Sequence, residues 1–70
     1  MGVFLSHLRI VMFYLMMSQE DLAKISGLHV LRVKRIFNDN NCTFNEVRQI
    51  LRALRMNMDD FFSFTPPRNL

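Results

Sequence analysis

Apolar positions recur along this chain at helical spacing, and nowhere do they alternate as a half-buried strand requires. Between Gly2 and Met17, residues Leu5, Leu8, Met12, Leu15 and Met16 fall close to one face of a first helix. Ser18 can cap a second helix, with Asp21 three residues on as a weaker form of the capping box. Leu22 and Ile25 give that helix a buried edge, and Ala23 is small enough for another helix to cross closely. Gly27 stands where it must end in a left-handed residue, a conformation glycine adopts freely. Leu28 re-enters the core, and Val33 with Ile36 marks the buried face of a third helix from about His29 to Phe37. Asn38-Asp39-Asn40-Asn41 follows as a loop of residues that tolerate left-handed backbone. Thr43 to Glu46 is a full capping box, so a fourth helix starts there and carries Val47, Ile50, Leu51 and Leu54 inward. Asp59-Asp60-Phe61-Phe62 makes a last helical turn that Pro66-Pro67 stops. The pattern predicts an all-α fold of five helices with no strand, one domain over residues 1–64 and a C-terminal tail over 65–70.

The stretch from Ser18 to Asn38 is the most specific part of this pattern. Two short helices around a tight turn, with a small residue where they cross, make a helix-turn-helix. The outward face of its second helix carries His29, Val30, Leu31, Arg32, Lys34 and Arg35, the position from which a recognition helix enters the DNA major groove.

Composition narrows the picture further. Half of the 70 residues are apolar, enough for a core, although a chain this short buries only about 60% of its unfolded surface. The formal charge is +3, from nine basic and six acidic residues, and Arg32, Lys34 and Arg35 concentrate it on the recognition helix. Cys42 has no cysteine partner, which fits a reducing cytoplasm. The apolar run from Val3 to Met17 is interrupted by Ser6, His7 and Arg9, and it falls short of the roughly 20 residues a bilayer requires. It lacks the charge order and cleavage site of a signal peptide, so no membrane association is expected. His7 and His29 have no ligand partners at metal-binding spacing, Cys42 has no paired base, and no glycine-rich phosphate loop is present. Neither an enzyme nor a cofactor or metal site is expected.

These residues resemble the lambda-repressor/Cro type of helix-turn-helix domain, without a gap from about Leu8 to Phe62. The opening of its motif is matched by Ser18, Gln19, Leu22 and Ala23, the turn glycine by Gly27, and the buried aliphatics by Val33 and Ile36. The later helix is matched by Val47, Ile50, Leu51, Ala53 and Leu54, and the acidic-apolar ending by Asp59, Asp60, Phe61 and Phe62. The resemblance implies a compact five-helix fold in which Ser18, Gln19 and the amides beside them clamp one DNA phosphate. Asn38 and the amides after Thr43 would hold another, and His29, Lys34 and Arg35 would reach bases or phosphates. Arg32 would face a phosphate or pack on a neighbouring helix. Arg48, Arg52 and Arg55 are spaced to line the fourth helix, with Arg48 nearest the DNA.

Several positions depart from the family. Met12 and Phe37 stand where many members pair an Arg with a Glu, and an apolar pair can serve there because no charge is then desolvated. Asp39 replaces a usual glycine. Val30 and Leu31 replace polar or small base readers and can contact only thymine methyls or sugar carbons.

The expected function is a sequence-specific transcriptional regulator, Cro-like and prokaryotic or phage in type: a cytoplasmic homodimeric repressor of double-stranded DNA. It would act without an effector domain, by blocking polymerase. Dimerisation is expected through the last helix, at Met58, Phe61, Phe62 and Phe64. Val3, Phe4, Ile10, Val11, Phe13, Tyr14 and Met17 exceed what one buried face needs. They motivate an alternative, a protein-interaction module of antitoxin or regulatory type that docks a partner on its first helix.

Overall fold

Each predicted helix is present in the computed structural model, which describes residues 2–64. Helix α1 spans Gly2–Tyr14, α2 Gln19–Ser26, α3 Val30–Asp39, α4 Phe44–Ala53 and α5 Met58–Ser63, with no strand among the described residues. The predicted tail, with Pro66-Pro67, lies outside those residues.

The helix starts follow their side chains. Ser18 Oγ accepts from the Asp21 amide at 3.0 Å and Asp21 Oδ2 accepts from the Ser18 amide at 3.0 Å, so this box is as complete as the one at Thr43. The Ser18 amide and hydroxyl together hold the Asp21 carboxyl below its usual range. At α4, Thr43 Oγ1 accepts from the Glu46 amide at 3.1 Å and Glu46 Oε1 from the Thr43 amide at 2.8 Å. Asn57 caps α5 through its side-chain oxygen, 2.7 Å from the Asp60 amide.

The helix ends follow backbone conformation more than residue type. Gly27 has φ 77° as expected, and no atom lies near enough to exclude a Cβ, so conformation alone requires the glycine. Met16, Asn40 and Arg55 also take left-handed backbone, with φ of 55°, 56° and 58°. After each, an amide reaches back five residues: Met17 to the Met12 carbonyl at 2.8 Å, Asn41 to Ile36 at 3.1 Å, and Met56 to Leu51 at 3.0 Å. This is the Schellman ending, made here without glycine.

Three expectations change as a result. Helix α1 stops at Tyr14, so Leu15 and Met16 are exposed rather than core, Met16 at 91%. Helix α3 runs on to Asp39, and Asn40 rather than Asp39 supplies the left-handed residue. Arg55 lies beyond α4 and does not extend the line of Arg48 and Arg52.

The core joins all five helices through Leu5, Leu8, Val11, Leu22, Val33, Ile36, Val47, Ile50 and Phe61, each essentially inaccessible to solvent. Each contributes roughly 1.5–3 kcal/mol of apolar transfer. Met12 and Phe37 are also buried in this cluster, in keeping with the apolar pair expected there. Ile25 is a correction: α2 turns it to solvent, 46% exposed, and buries only Leu22 and Ala23. Phe61 is another. It has 0% exposure and stacks on Phe4 with ring centroids 4.9 Å apart, so it holds α5 to α1 and is not available as a dimer contact. Within α1, Phe4 and Val11 reach the core, whereas Val3, Ile10, Phe13 and Tyr14 remain exposed.

Candidate nucleic-acid interface

Burial of Val33, Ile36 and Phe37 fixes the inner face of α3 and leaves Leu31, Lys34, Arg35 and Asn38 exposed. His29 is the N-cap, its Nδ1 accepting from the Leu31 amide at 3.1 Å. That bond leaves Nε2 as the protonated nitrogen able to donate outward. Val30 is half-buried against the core, so it presents less of itself than the sequence pattern implied.

Arg32 takes the second of its two expected roles. Its Nε donates to Glu46 Oε2 and its Nη2 to Glu46 Oε1 at 2.7 Å, tying α3 to the start of α4. Glu46 is buried, yet the Arg32 guanidinium holds its carboxyl down at about 2, aided by the Thr43 amide and hydroxyl against the opposing cost of burial. The unfolded value is 4.5, so between these limits the folded chain binds fewer protons than the unfolded one. The stability this pair contributes is therefore fully present above about 4.5 and is lost as pH falls toward about 2. Glu46→Gln should lower stability by roughly 1–2 kcal/mol at pH 6, a figure discounted for the solvent reaching Arg32. Denaturant titrations of both proteins should show that gap narrowing by pH 3; a gap constant with pH would remove the ion pair from the account.

Arg9, Gln19, Lys34, Arg35, Phe37 and Asn38 line a depression of about 570 Å³ where α1, α2 and α3 meet. Gln19 opens α2, where the amides of Gln19 and Glu20 have no intrahelical acceptor and the helix dipole favours an anion. The cations around it are lightly held: Lys34 Nζ lies 3.8 Å from Glu20 Oε2, and Arg35 Nε lies 3.9 Å from Asp39 Oδ2. Exposed pairs of this kind contribute at most about 1 kcal/mol, so a phosphate can displace either carboxylate. The Ser18 and Thr43 hydroxyls are used as caps but keep an O–H to donate.

Sequence reasoning missed Arg9, which it treated only as a break in an apolar run. Its Nη2 donates to the Phe37 carbonyl at 3.1 Å, and its guanidinium carbon sits 5.2 Å from the centre of the Phe37 ring. The signal was that break itself: an Arg on a largely apolar helix can reach a carbonyl acceptor, and the end of a neighbouring helix supplies one. Held this way, Arg9 loses little further freedom when its remaining N–H groups meet an anion. Arg9→Ala should weaken DNA binding uniformly across sequences and flatten the plot of log affinity against log salt by about 1. An unchanged slope would place Arg9 outside the interface.

The remaining expected positions spread elsewhere. Met58 and Phe62 are exposed on α5, and Phe62 joins Val3, Ile10 and His7 around a depression of about 530 Å³. Phe64 is half-buried, its ring edge-on to Tyr14 at 5.3 Å. Cys42 is buried, which pushes its thiol up and disfavours a reactive thiolate. Among the described residues no group of His, Cys, Asp and Glu could hold a metal ion, and no helix is long and apolar enough to cross a membrane.

Compared with known proteins, residues 7–67 match the family model of the Cro/C1-type HTH DNA-binding domain. No curated protein and no solved structure matches the chain. With the match spanning the helix-turn-helix, the Thr43-capped helix and α5, the chain belongs to the Cro/C1-type helix-turn-helix DNA-binding family.

Proposed function

We propose that the chain is a cytoplasmic transcriptional repressor that binds operator DNA as a homodimer, with α3 in the major groove. The observation that carries this reading is the basic depression at the junction of α1, α2 and α3. It brings Arg9, Lys34 and Arg35 beside the open amides at Gln19, with Asn38 on the same rim. Gln19, Ser18 and Arg9 grip one phosphate, and Asn38 with the amides after Thr43 grips another. His29 and Arg35 are then left to address base edges, where a bidentate Arg on guanine discriminates by about 1–3 kcal/mol. Two copies joined through the exposed apolar residues Met58 and Phe62 would meet half-sites one turn apart, roughly 34–36 Å. Bound over a promoter, the dimer excludes polymerase by occupancy.

The test is fluorescence anisotropy with duplex DNA from upstream of the chain's own gene, at two salt concentrations. Affinity well above that for a scrambled duplex, falling steeply with salt, is the expected result. Equal and weak binding to both duplexes would overturn it. One observation favours a second reading, a protein-interaction module: Phe13 is 87% exposed beside exposed Tyr14, Leu15 and Met16.

A further inference from the structure

Leu31 is 67% exposed near the start of α3, where it lines a depression of about 390 Å³ with His29, Arg32 and Arg35. Its neighbours leave it alone as the apolar element of the recognition face. Val30 is half-buried against the core, and the Arg32 guanidinium is engaged by Glu46. One turn further on, Arg35 is exposed, tied by no contact shorter than its 3.9 Å approach to Asp39. An isobutyl group offers a phosphate nothing and can make no hydrogen bond to a base. In the major groove the apolar feature that base edges present is the 5-methyl group of thymine.

We propose that Leu31 reads the 5-methyl group of a pyrimidine next to a guanine held by Arg35. Residues at i and i+4 on a helix stand about 5–6 Å apart. Base pairs rise by about 3.4 Å per step, so this spacing lies between one and two steps, and the longer Arg35 side chain can reach the adjacent base pair. The inference rests on the DNA-binding reading above and deepens it, because the recognised feature is the methyl group and not thymine as such. A 5-methylcytosine at that position satisfies Leu31, whereas uracil and cytosine do not. Operator binding therefore responds to cytosine methylation wherever a cytosine stands there.

The experiment starts by enriching bound duplexes from a random pool with the purified chain. Synthetic copies of the enriched site are then made with each deoxythymidine replaced in turn by deoxyuridine, by deoxycytidine or by 5-methyldeoxycytidine. One position per half-site should lose roughly three- to tenfold in affinity with deoxyuridine. The same position should bind 5-methyldeoxycytidine more tightly than deoxycytidine by a similar factor. Leu31→Ala should erase both differences while keeping the preference for the adjacent guanine, and circular dichroism should show its helix content unchanged. Deoxyuridine binding as well as deoxythymidine at every position, or discrimination that survives Leu31→Ala, would overturn the methyl reading alone. Failure to enrich any sequence over scrambled DNA would overturn the DNA-binding reading and this inference with it.

Discussion

Replacing Lys34 and Arg35 together by alanine should reduce operator affinity by about a hundredfold or more while leaving the fold in place. Both side chains are exposed on α3, and both line the basic depression beside Gln19. A lost bidentate base contact accounts for roughly 1–3 kcal/mol, and a lost phosphate contact also removes about 0.9 from the salt slope. A dimer loses these contacts in each half-site. Against this, the folded chain gives up only two surface ion pairs, at 3.8 and 3.9 Å, each contributing about 0–1 kcal/mol. Alanine, the best helix former, offsets part of that. Thermal melts should thus differ little between the two proteins while anisotropy titrations differ greatly. Retained affinity in the double variant would remove α3 as the recognition element. An unfolded variant would show instead that the two pairs matter far more to stability than exposed pairs do.

What was legible in the sequence, and what was not, divides along physical lines. Helix starts are written in side chains: Ser18, Thr43 and the carboxylates three residues after them announce their bonds, and the structure contains those bonds. Helix ends are written in backbone conformation, which Gly27 declares and the Asn-rich loop at Asn40 permits. Met16 and Arg55 adopt left-handed backbone with side chains that do not favour it, so the end of α1 and the place of Arg55 could not be read from residue type. Periodicity placed Leu5, Leu8, Val33, Ile36 and Ile50 correctly because each lies on the one buried face of its helix. It misplaced Ile25, near the end of an eight-residue helix whose buried face holds only Leu22 and Ala23. The proposed interface is legible where it follows the helix-turn-helix itself, at Gln19, Lys34 and Arg35. The surroundings of Arg9 and Arg32 were not legible, because they are set by residues 28 and 14 positions away, Phe37 and Glu46. Family resemblance left both roles for Arg32 open, and its contact on a neighbouring helix depends on the long-range partner Glu46.

Phe61→Ala should cost about 3–5 kcal/mol, the largest stability loss expected from any single truncation in the chain. Its ring is fully buried, stacked on Phe4 at 4.9 Å and met edge-on by His7 at 4.9 Å and by Phe62 at 5.1 Å. Its carbonyl also accepts a hydrogen bond from His7 Nε2 at 2.7 Å, so side chain and backbone both anchor α5 to α1. A six-residue helix has no stability of its own, and α5 exists only while that anchor holds. Domains are stabilised by roughly 0.05–0.15 kcal/mol per residue, so the loss takes a large share of the margin of so short a chain. The neighbouring substitution Phe62→Ala provides the contrast. That ring is partly exposed, and its removal should change monomer stability by less than about 1 kcal/mol. Under the dimer reading it should instead weaken self-association, measured by sedimentation equilibrium. Phe61→Ala should thus shift the unfolding midpoint at every protein concentration, and Phe62→Ala the concentration at which monomers pair. If Phe61→Ala melts like the parent, α5 is not integral to the fold. The core then ends at α4, and the apolar surface beneath α5 becomes available to another chain.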